Sequence, residues 1–275
     1  MFELTISNQR NKKDYMRFVY NKLKPHVDNS KGIIIFEETD GRLSISLAVP
    51  NKERDFYKAF VLELVSEIIV MDYKYEYIKA NLNAQISNDE LWISFLKALT
   101  VFDKQTDKDL IKKNLAFTSE LLIDSSYNFR MWEVRDRWRE IVSLVEENLS
   151  GLLARDSFVD LMKFLIAASE PEADTVYIKK CKNTPEIMIN DTQKAINLCF
   201  FEENVKNSIK ILSELVCLCP RSIVIDFDDE NYSDLVEKIS NIFEGKVHQS
   251  IAGKSNINYI KSVDNEKNVV YNNRQ

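Results

Sequence analysis

The chain has 275 residues, of which 45% are hydrophobic and 29% are charged, and its formal net charge is -6. A chain of this size and composition buries a substantial core, and its acidic pI of about 5.3 argues against avid nucleic-acid binding. No apolar run reaches the roughly 18 residues of a transmembrane helix, and the start lacks a signal-peptide pattern, so we expect a cytoplasmic protein.

The first 84 residues predict a β-α-β-β lobe. Residues 2–7 alternate as a strand, residues 11–24 carry a helical apolar stripe, and residues 32–49 predict a hairpin that turns at Asp40-Gly41. Pro50 and Asn51 then open a helix that runs to about Leu82. Its apolar stripe consists of Phe56, Phe60, Leu64, Ile68, Met71 and Tyr75.

Residues 85–171 are predicted to form a helical layer. Segments 91–102 and 109–123 have helical patterns, and a longer helix follows, ending near Gly151. A further helix from about Ser157 to about Ser169 then completes an antiparallel helical hairpin. The stripe of the longer helix consists of Met131, Val134, Trp138, Ile141, Val142, Val145 and Leu149.

Residues 172–252 predict a C-terminal α/β lobe, so the fold class is helix-rich α+β. Strand patterns at 175–180, 186–190, 222–226 and 246–251 alternate with helix patterns at 207–218 and 232–243, which favours a partly parallel sheet. Residues 253–275 are rich in Asn and Lys and predict a flexible tail. The four cysteines lack CxxC spacing, and we expect them to be reduced thiols.

Several of these segments resemble the YtxC-like proteins: LLIDSSYNFR, the long helix after it, DSFVDLMKFLIAASEP, the strand TVYIKK and the late CPRSIVID. The resemblance is best between about Ile123 and Phe227. It implies a sporulation protein of endospore-forming Firmicutes, and it implies no particular reaction. As an alternative to separate domains, the three regions of this chain could form one compact YtxC-like unit.

Glycine and histidine are scarce, which disfavours several enzyme classes. The five glycines compare with about 19 at an average usage of about 7%, and none lies in a GxGxxG or GxxxxGK motif. Rossmann dehydrogenases and P-loop ATPases and GTPases depend on those backbone cradles. His26 and His248 are too few for most zinc hydrolases and disfavour a catalytic triad. We therefore expect no cofactor and name no catalytic residue.

An acidic loop is the first candidate site. Asp226 and Asp228 follow strand 222–226, where α/β folds often hold ligands, and converging carboxylates are suitable ligands for Mg²⁺. This suggests a metal-dependent enzyme of phosphate chemistry. The alternative is a solvated loop in which one residue caps the next helix.

A basic N-terminal segment is the second candidate. Lys12, Lys13 and Arg17 lie in a locally positive stretch, which is suited to binding an anion such as RNA or a membrane surface. The alternative is a solubilising helix face.

An arginine and tryptophan cluster is the third candidate. Trp132 falls off the apolar stripe that holds Trp138, and Arg130, Arg135 and Arg139 flank it. Exposed Trp beside Arg is typical of protein interfaces, although Trp132 could also be buried against a neighbouring lobe. The hypothesis we favour is a non-enzymatic protein that acts through protein-protein contacts, with the partner and the oligomeric state left open.

Overall fold

The first sheet is built from strands that lie far apart in the sequence. A computed structural model describes residues 1–82, 90–117, 119–152, 155–181, 184–189, 193–194 and 205–249. The four-stranded sheet has the order β2-β3-β1-β4, with β1 and β4 parallel and the other pairs antiparallel. Its strands are β1 (Phe2–Gln9), β2 (Ile33–Thr39), β3 (Arg42–Val49) and β4 (Glu120–Leu122).

Helix α1 (Lys13–Asn29) covers one face of this sheet and follows a short 3₁₀ turn, Arg10–Lys12. Strand β3 buries every second residue, because one face of an antiparallel sheet packs on the core and the other faces solvent. Asp40 and Gly41 have φ angles of 48° and 75°, the left-handed values that a tight hairpin turn requires. The predicted β-α-β-β lobe is confirmed.

The long helix after Pro50 is helical from residue 51 to residue 81 but is not regular. It consists of a 3₁₀ turn (Asn51–Glu53), α2 (Arg54–Ile68), a π-helical turn (Ile69–Lys74) and α3 (Tyr75–Asn81). Its buried face also differs from the predicted stripe, since Tyr57 is fully buried while Phe56 is 51% exposed.

The helical layer continues with α4 (Glu90–Val101), α5 (Lys104–Asn114), α6 (Ile123–Arg130), α7 (Trp132–Leu152) and α8 (Arg155–Ala168). Helices α7 and α8 contact each other, as the predicted hairpin requires. The predicted helix over 109–123 is wrong beyond Asn114. Residues Glu120–Leu122 form β4 instead, because β1 offers a sheet edge on which Leu121 pairs with Ile6.

The second sheet has five strands in the order β7-β6-β5-β8-β9, and β5, β8 and β9 are mutually parallel. This confirms the predicted partly parallel sheet and the helix-rich α+β class. Its elements are β5 (Thr175–Cys181), β6 (Thr184–Ile189), β7 (Gln193–Lys194), α9 (Asn207–Leu218), β8 (Ser222–Asp226), a 3₁₀ turn (Glu230–Tyr232), α10 (Ser233–Ile242) and β9 (Val247–Gln249).

One continuous set of buried apolar residues runs through both sheets and the helical layer. Helix α4 packs against α9, where the buried hydroxyls of Ser94 and Ser213 are 3.1 Å apart. Whether residues 1–84, 85–171 and 172–252 are separate folding units stays a prediction. The predicted tail, 253–275, lies outside the described residues.

The expectation of four reduced cysteines is wrong at Cys217. Cys181 and Cys219 are free, but Cys217 is disulfide-bonded, and Cys199 lies outside the described residues. Burial in α9 was compatible with a reduced thiol and equally with a paired one. Disulfides are rare in the cytosol, so the disulfide at Cys217 does not support a cytoplasmic location. That location stays a prediction.

Candidate functional site

The π-helical turn Ile69–Lys74 gathers polar side chains in the interior. A π turn advances the chain by one extra residue, so the residues after it face a different direction from those of a regular α-helix. Asp72 and Lys74 are 3% and 0% exposed, and Tyr73 between them is half-buried. Because π turns are frequent at functional sites, we take this turn as the starting point of the site.

Lys74 forms a buried ion pair with Asp107 of α5. Its Nζ donates to Oδ2 of Asp107 at 2.7 Å and to the carbonyl oxygen of Phe102 at 2.7 Å. Trp138 Nε1 donates to the same carboxylate oxygen at 3.0 Å, and Arg137 Nε donates to Oδ1 at 3.4 Å. Burial lowers the pKa of Lys74, and the charge of Asp107 opposes that effect. The pair thereby joins the π turn to α5 and α7.

The buried Asp72 forms the second ion pair, with the partly buried Lys12. Lys12 Nζ lies 2.8 Å from both carboxylate oxygens, and the contact with Oδ1 is the one with hydrogen-bond geometry. Burial raises the pKa of Asp72, and Lys12 opposes the rise. Lys97 of α4 lies with its Nζ 4.0 Å from the centre of the Tyr75 ring, and burial lowers the pKa of Lys97 to about 8. Several titratable groups with altered pKa values therefore surround the π turn.

The first sheet supplies the third part of the network. Tyr73 donates its hydroxyl to Oδ1 of Asn8 at 2.8 Å. Arg42 of β3 donates two hydrogen bonds to Asp124 of α6, at 2.6 and 3.2 Å, and its Nε donates to Ser7 Oγ at 2.9 Å. Although burial acts in the opposite direction, Arg42 holds the pKa of Asp124 below its ordinary value. The Asp of the LLIDSSYNFR segment is thus an anchor between α6 and the sheet.

The innermost side chains of this network, those of Lys74, Lys97 and Asp107, are too deeply buried to contact a substrate in the observed conformation. Lys74, Lys97 and Asp107 are 0%, 1% and 1% exposed, so a ligand would reach Lys74 or Asp107 only if α5 and α7 moved away from the π turn. Buried ion pairs contribute little net stability compared with apolar packing, but breaking one is costly. The arrangement therefore fixes the relative positions of the sheet and the helices.

The structure places Trp132 at the surface, which excludes its burial against a neighbouring lobe, while its role in an interface stays a prediction. Trp132 is 63% exposed at the start of α7, and Phe129 at the end of α6 is 83% exposed. Arg139 is also exposed and pairs with Asp136 at 2.7 Å. We name Phe129, Arg130, Trp132, Arg135 and Arg139 the α6–α7 surface.

Two arginine side chains of the α6–α7 surface donate hydrogen bonds to backbone carbonyl groups nearby. Arg130 Nη1 donates to the carbonyl oxygen of Ala116 at 2.6 Å. Arg135 Nη2 donates to the carbonyl oxygen of Asn128 at 3.2 Å, and its guanidinium lies 5.7 Å from the centre of the Tyr127 ring. These contacts brace the α6–α7 junction, so the exposed aromatic side chains stand on a supported backbone.

A cleft of about 280 Å³ lies beside this surface, between β4 and α6. Phe129 and Arg130 form part of its wall, and β4, an edge strand of the first sheet, forms another part. The remaining lining residues are Ala116, Glu120, Leu121, Leu122, Ser125 and Ser126. A concave region thus adjoins the exposed side chain of Phe129.

The acidic loop places Asp226 and Asp228 in different environments. Asp226 Oδ2 lies 4.0 Å from Lys179 Nζ, and Asp228 is exposed. Asp229 accepts a hydrogen bond from the backbone N–H of Asn231 at 3.0 Å and so caps the turn before α10. Within the described part of the chain, no three His, Cys, Asp or Glu side chains converge as metal ligands. Metal binding at Asp226 and Asp228 stays a prediction.

The three candidate anion-binding residues do not share one environment. Lys12 is directed at Asp72, and its side chain is only 17% exposed. Lys13 and Arg17 lie exposed on α1. Anion binding stays a prediction for that pair, while Lys12 has an interior ionic partner.

The sequence reading missed the buried network and Phe129. Lys74 lies between the stripe residues Met71 and Tyr75, and a charged residue in that position ordinarily indicates the solvent face of a helix. Asp107 lies in a mostly polar helix and gave no signal of burial. Phe129 was detectable, because it is an aromatic residue just before the Trp132 segment and outside the apolar stripe.

The YtxC-like family model matches residues 57–248, a span that holds the π turn, the Lys74–Asp107 pair and the α6–α7 surface. The chain belongs to the YtxC-like family. No curated protein and no solved structure matches this YtxC-like chain significantly. Strands β1–β3 and helix α1 lie before the matched span.

Among the described residues, no helix combines the length and the apolar composition that crossing a bilayer requires.

Proposed function

We propose that this YtxC-like protein is a non-enzymatic protein that binds another protein through the α6–α7 surface. The observation that supports this is the exposure of Trp132 and Phe129, at 63% and 83%. Trp and Arg are the residue types most enriched among those that dominate binding energy. Large aromatic side chains that stand in water are stabilised when a partner covers them.

The braced arginines support the same proposal. Arg130 and Arg135 are anchored by backbone carbonyl groups, so little side-chain freedom remains to be lost when a partner binds. Preorganised contacts of this kind favour affinity, because ordering flexible side chains opposes association. The partner that fits is a protein with an apolar pocket for Trp132 and Phe129.

The resemblance to sporulation proteins of endospore-forming Firmicutes suggests when the partner is present. We propose that it is made in sporulating cells. The tagged full-length chain would be purified from vegetative and from sporulating cells, and co-purifying proteins identified by mass spectrometry. Each candidate would then be purified and its affinity for the chain measured directly.

The decisive comparison uses Phe129→Ala with Trp132→Ala against the control Phe164→Ala. Phe164 is 61% exposed on α8, so the control removes a similarly exposed aromatic side chain elsewhere. We expect the double variant to bind the purified partner at least about 30-fold more weakly, as for residues that contribute about 2 kcal/mol, and the control to bind normally. Equal affinity of all three proteins, or recovery of the chain alone at both stages, would contradict the proposal.

A further inference from the structure

Strand β2 (Ile33–Thr39) is an open edge of the first sheet. In the order β2-β3-β1-β4 it has a single neighbour among the described residues, β3. An edge strand presents backbone N–H and C=O groups with which another strand can pair, and extended segments of partner proteins bind to sheet edges in this way. At seven residues, β2 is long enough to pair with a complete strand.

The face of β2 that points away from the helices is apolar at its start. Side chains alternate along a strand, and Ile34 and Phe36 pack against the core. Ile33 and Ile35 therefore lie on the opposite face, where they are 62% and 52% exposed. Aliphatic side chains on a neighbouring strand would cover them, because residues opposite each other lie on the same face of a sheet.

The other face of this edge is lined by cations of α1. Tyr20 contacts Phe36 of β2, with ring centres 5.8 Å apart, so this flank of the helix lies over the strand. Arg17 and Lys24 are three residues before and four residues after Tyr20, positions that share one helix face. Lys13 continues the row, four residues before Arg17. All three cations are exposed, and we name them the α1 cation row.

Most of the charge of this row is not neutralised within the chain. Among the described residues, Lys13 and Arg17 form no ion pair. Lys24 pairs with Asp28 at 3.2 Å, but both side chains are about half exposed, and such surface pairs contribute little. The row therefore presents positive charge beside β2, although the chain has a formal net charge of -6.

The two chemistries lie on opposite faces of the sheet, which determines the kind of partner that fits. A membrane surface or a nucleic acid that contacts the α1 cation row would leave Ile33 and Ile35 uncovered on the other face. A strand added at the edge has side chains on both faces. We propose that β2 pairs with an extended segment of a partner protein in which acidic side chains, directed at α1, alternate with aliphatic side chains that cover the two isoleucines.

The spacing of the cations is compatible with such a segment. At about 1.5 Å per helical residue, Lys13 lies about 6 Å from Arg17 along α1, and Arg17 lies about 10 Å from Lys24. Alternate residues of a strand are about 7 Å apart, so carboxylates at every second position can reach the row. Glu38, which β2 itself directs to this side, pairs with Arg10 at 2.5 Å and leaves the row available.

Fluorescence anisotropy on the full-length chain tests the proposal with a defined probe. The probe is a labelled, end-capped octapeptide in which glutamate and valine alternate, and the comparison peptide has lysine in place of glutamate. We expect the acidic peptide to bind, to bind more weakly as salt is added, and the basic peptide not to bind. Hydrogen exchange should show that the acidic peptide protects the β2 amides, because a paired edge exchanges more slowly with water.

Charge reversal in the α1 cation row locates the binding site. Lys13→Glu with Arg17→Glu is expected to weaken binding of the acidic peptide at least about tenfold. Lys22→Glu with Lys113→Glu is the matched control, because it makes the same change in net charge at two exposed positions outside the row. Circular dichroism should show both variants folded, and the control should bind within about twofold of the wild type.

The apolar face is tested separately. Ile33→Thr with Ile35→Thr keeps β-branched side chains on the strand but removes apolar contact, so we expect about fivefold weaker binding of the acidic peptide. Unchanged affinity in this variant would contradict the proposed cover of the two isoleucines.

Several results would overturn the proposal. They are no binding of the acidic peptide, equal binding of the basic peptide, binding without protection of β2, and equal affinity of the row variant and its control. Binding of an RNA oligonucleotide or of phosphatidylglycerol vesicles through Lys13 and Arg17, without peptide binding, would assign the row to a different anion. The test is independent of the α6–α7 surface, since α1 and β2 precede the family match at residues 57–248.

Discussion

Replacing Lys74 with methionine leaves the Asp107 carboxylate buried without its closest cation. Both residues are at most 1% exposed, and removing one partner of such a pair costs about 3–5 kcal/mol. Trp138 and Arg137 still donate to Asp107, which places the expected cost near the lower end, at about 3 kcal/mol. That is a large part of a total stability of about 5–15 kcal/mol.

The same reasoning predicts partial rescue by a second change. Asp107→Asn in the Lys74→Met background removes the uncompensated negative charge. The amide oxygen of the new asparagine side chain can still accept a hydrogen bond from Trp138. We expect the double variant to be more stable than Lys74→Met by about 1 kcal/mol or more. Lys163→Met is the control, because Lys163 pairs with Glu244 at an exposed position and should contribute little to stability.

Urea unfolding, followed by circular dichroism and tryptophan fluorescence, measures these differences. With a slope of about 3 kcal/mol per M, the Lys74→Met midpoint should fall by about 1 M. A midpoint no lower than that of Lys163→Met would refute the importance of the buried pair. A double variant less stable than Lys74→Met would refute the argument that the uncompensated charge is the cause.

Two further predictions concern pH. The pKa of Lys97 is lowered to about 8 in the folded chain and is about 10.4 when unfolded, so the unfolded state binds more protons between these values. The unfolding free energy of the wild type should therefore rise from about pH 8 to about pH 10 relative to Lys97→Met, with the exposed Lys13→Met as control. No relative rise in urea titrations would contradict this. Arg42→Lys loses the forked contact with Asp124 and should cost about 1 kcal/mol at neutral pH, since Arg42 is partly exposed. Because the pKa of Asp124 is lowered in the folded chain, that difference should begin to shrink as the pH falls below about 4, the unfolded value, and vanish once the pH is below the lowered folded pKa. A difference that persists there would point to another cause.

Elements with a strong local pattern could be predicted from the sequence. Strand β3 alternates apolar and polar residues, Asp40-Gly41 signals the turn before it, and the stripe through Met131 and Trp138 marks α7. The position of Trp132 off that stripe was also visible in the sequence, although the sequence left open whether it is exposed or buried against a neighbouring lobe. These features depend on side chains close together along the chain.

Features set by distant partners could not be predicted. Leu121 lies in a segment with a helical pattern but forms a strand, because the edge of β1 overrides local propensity. The π turn depends on what surrounds it, since Asp72 requires Lys12 and Lys74 requires Asp107. The periodicity of one segment does not indicate which residue elsewhere in the chain will contact it.

The pairing of β1 with β4 also affects how the chain is expected to fold during synthesis. Thr5 lies beside Glu120, so the ribosome must release the whole helical run through α5 before the first strand acquires its last neighbour. Closing so long a loop is entropically unfavourable and slows folding. Until then β1 presents an open edge, and nascent chains should depend on chaperones most strongly over this interval. The order in which the chain emerges, as well as its final contacts, thus determines when the first sheet is complete.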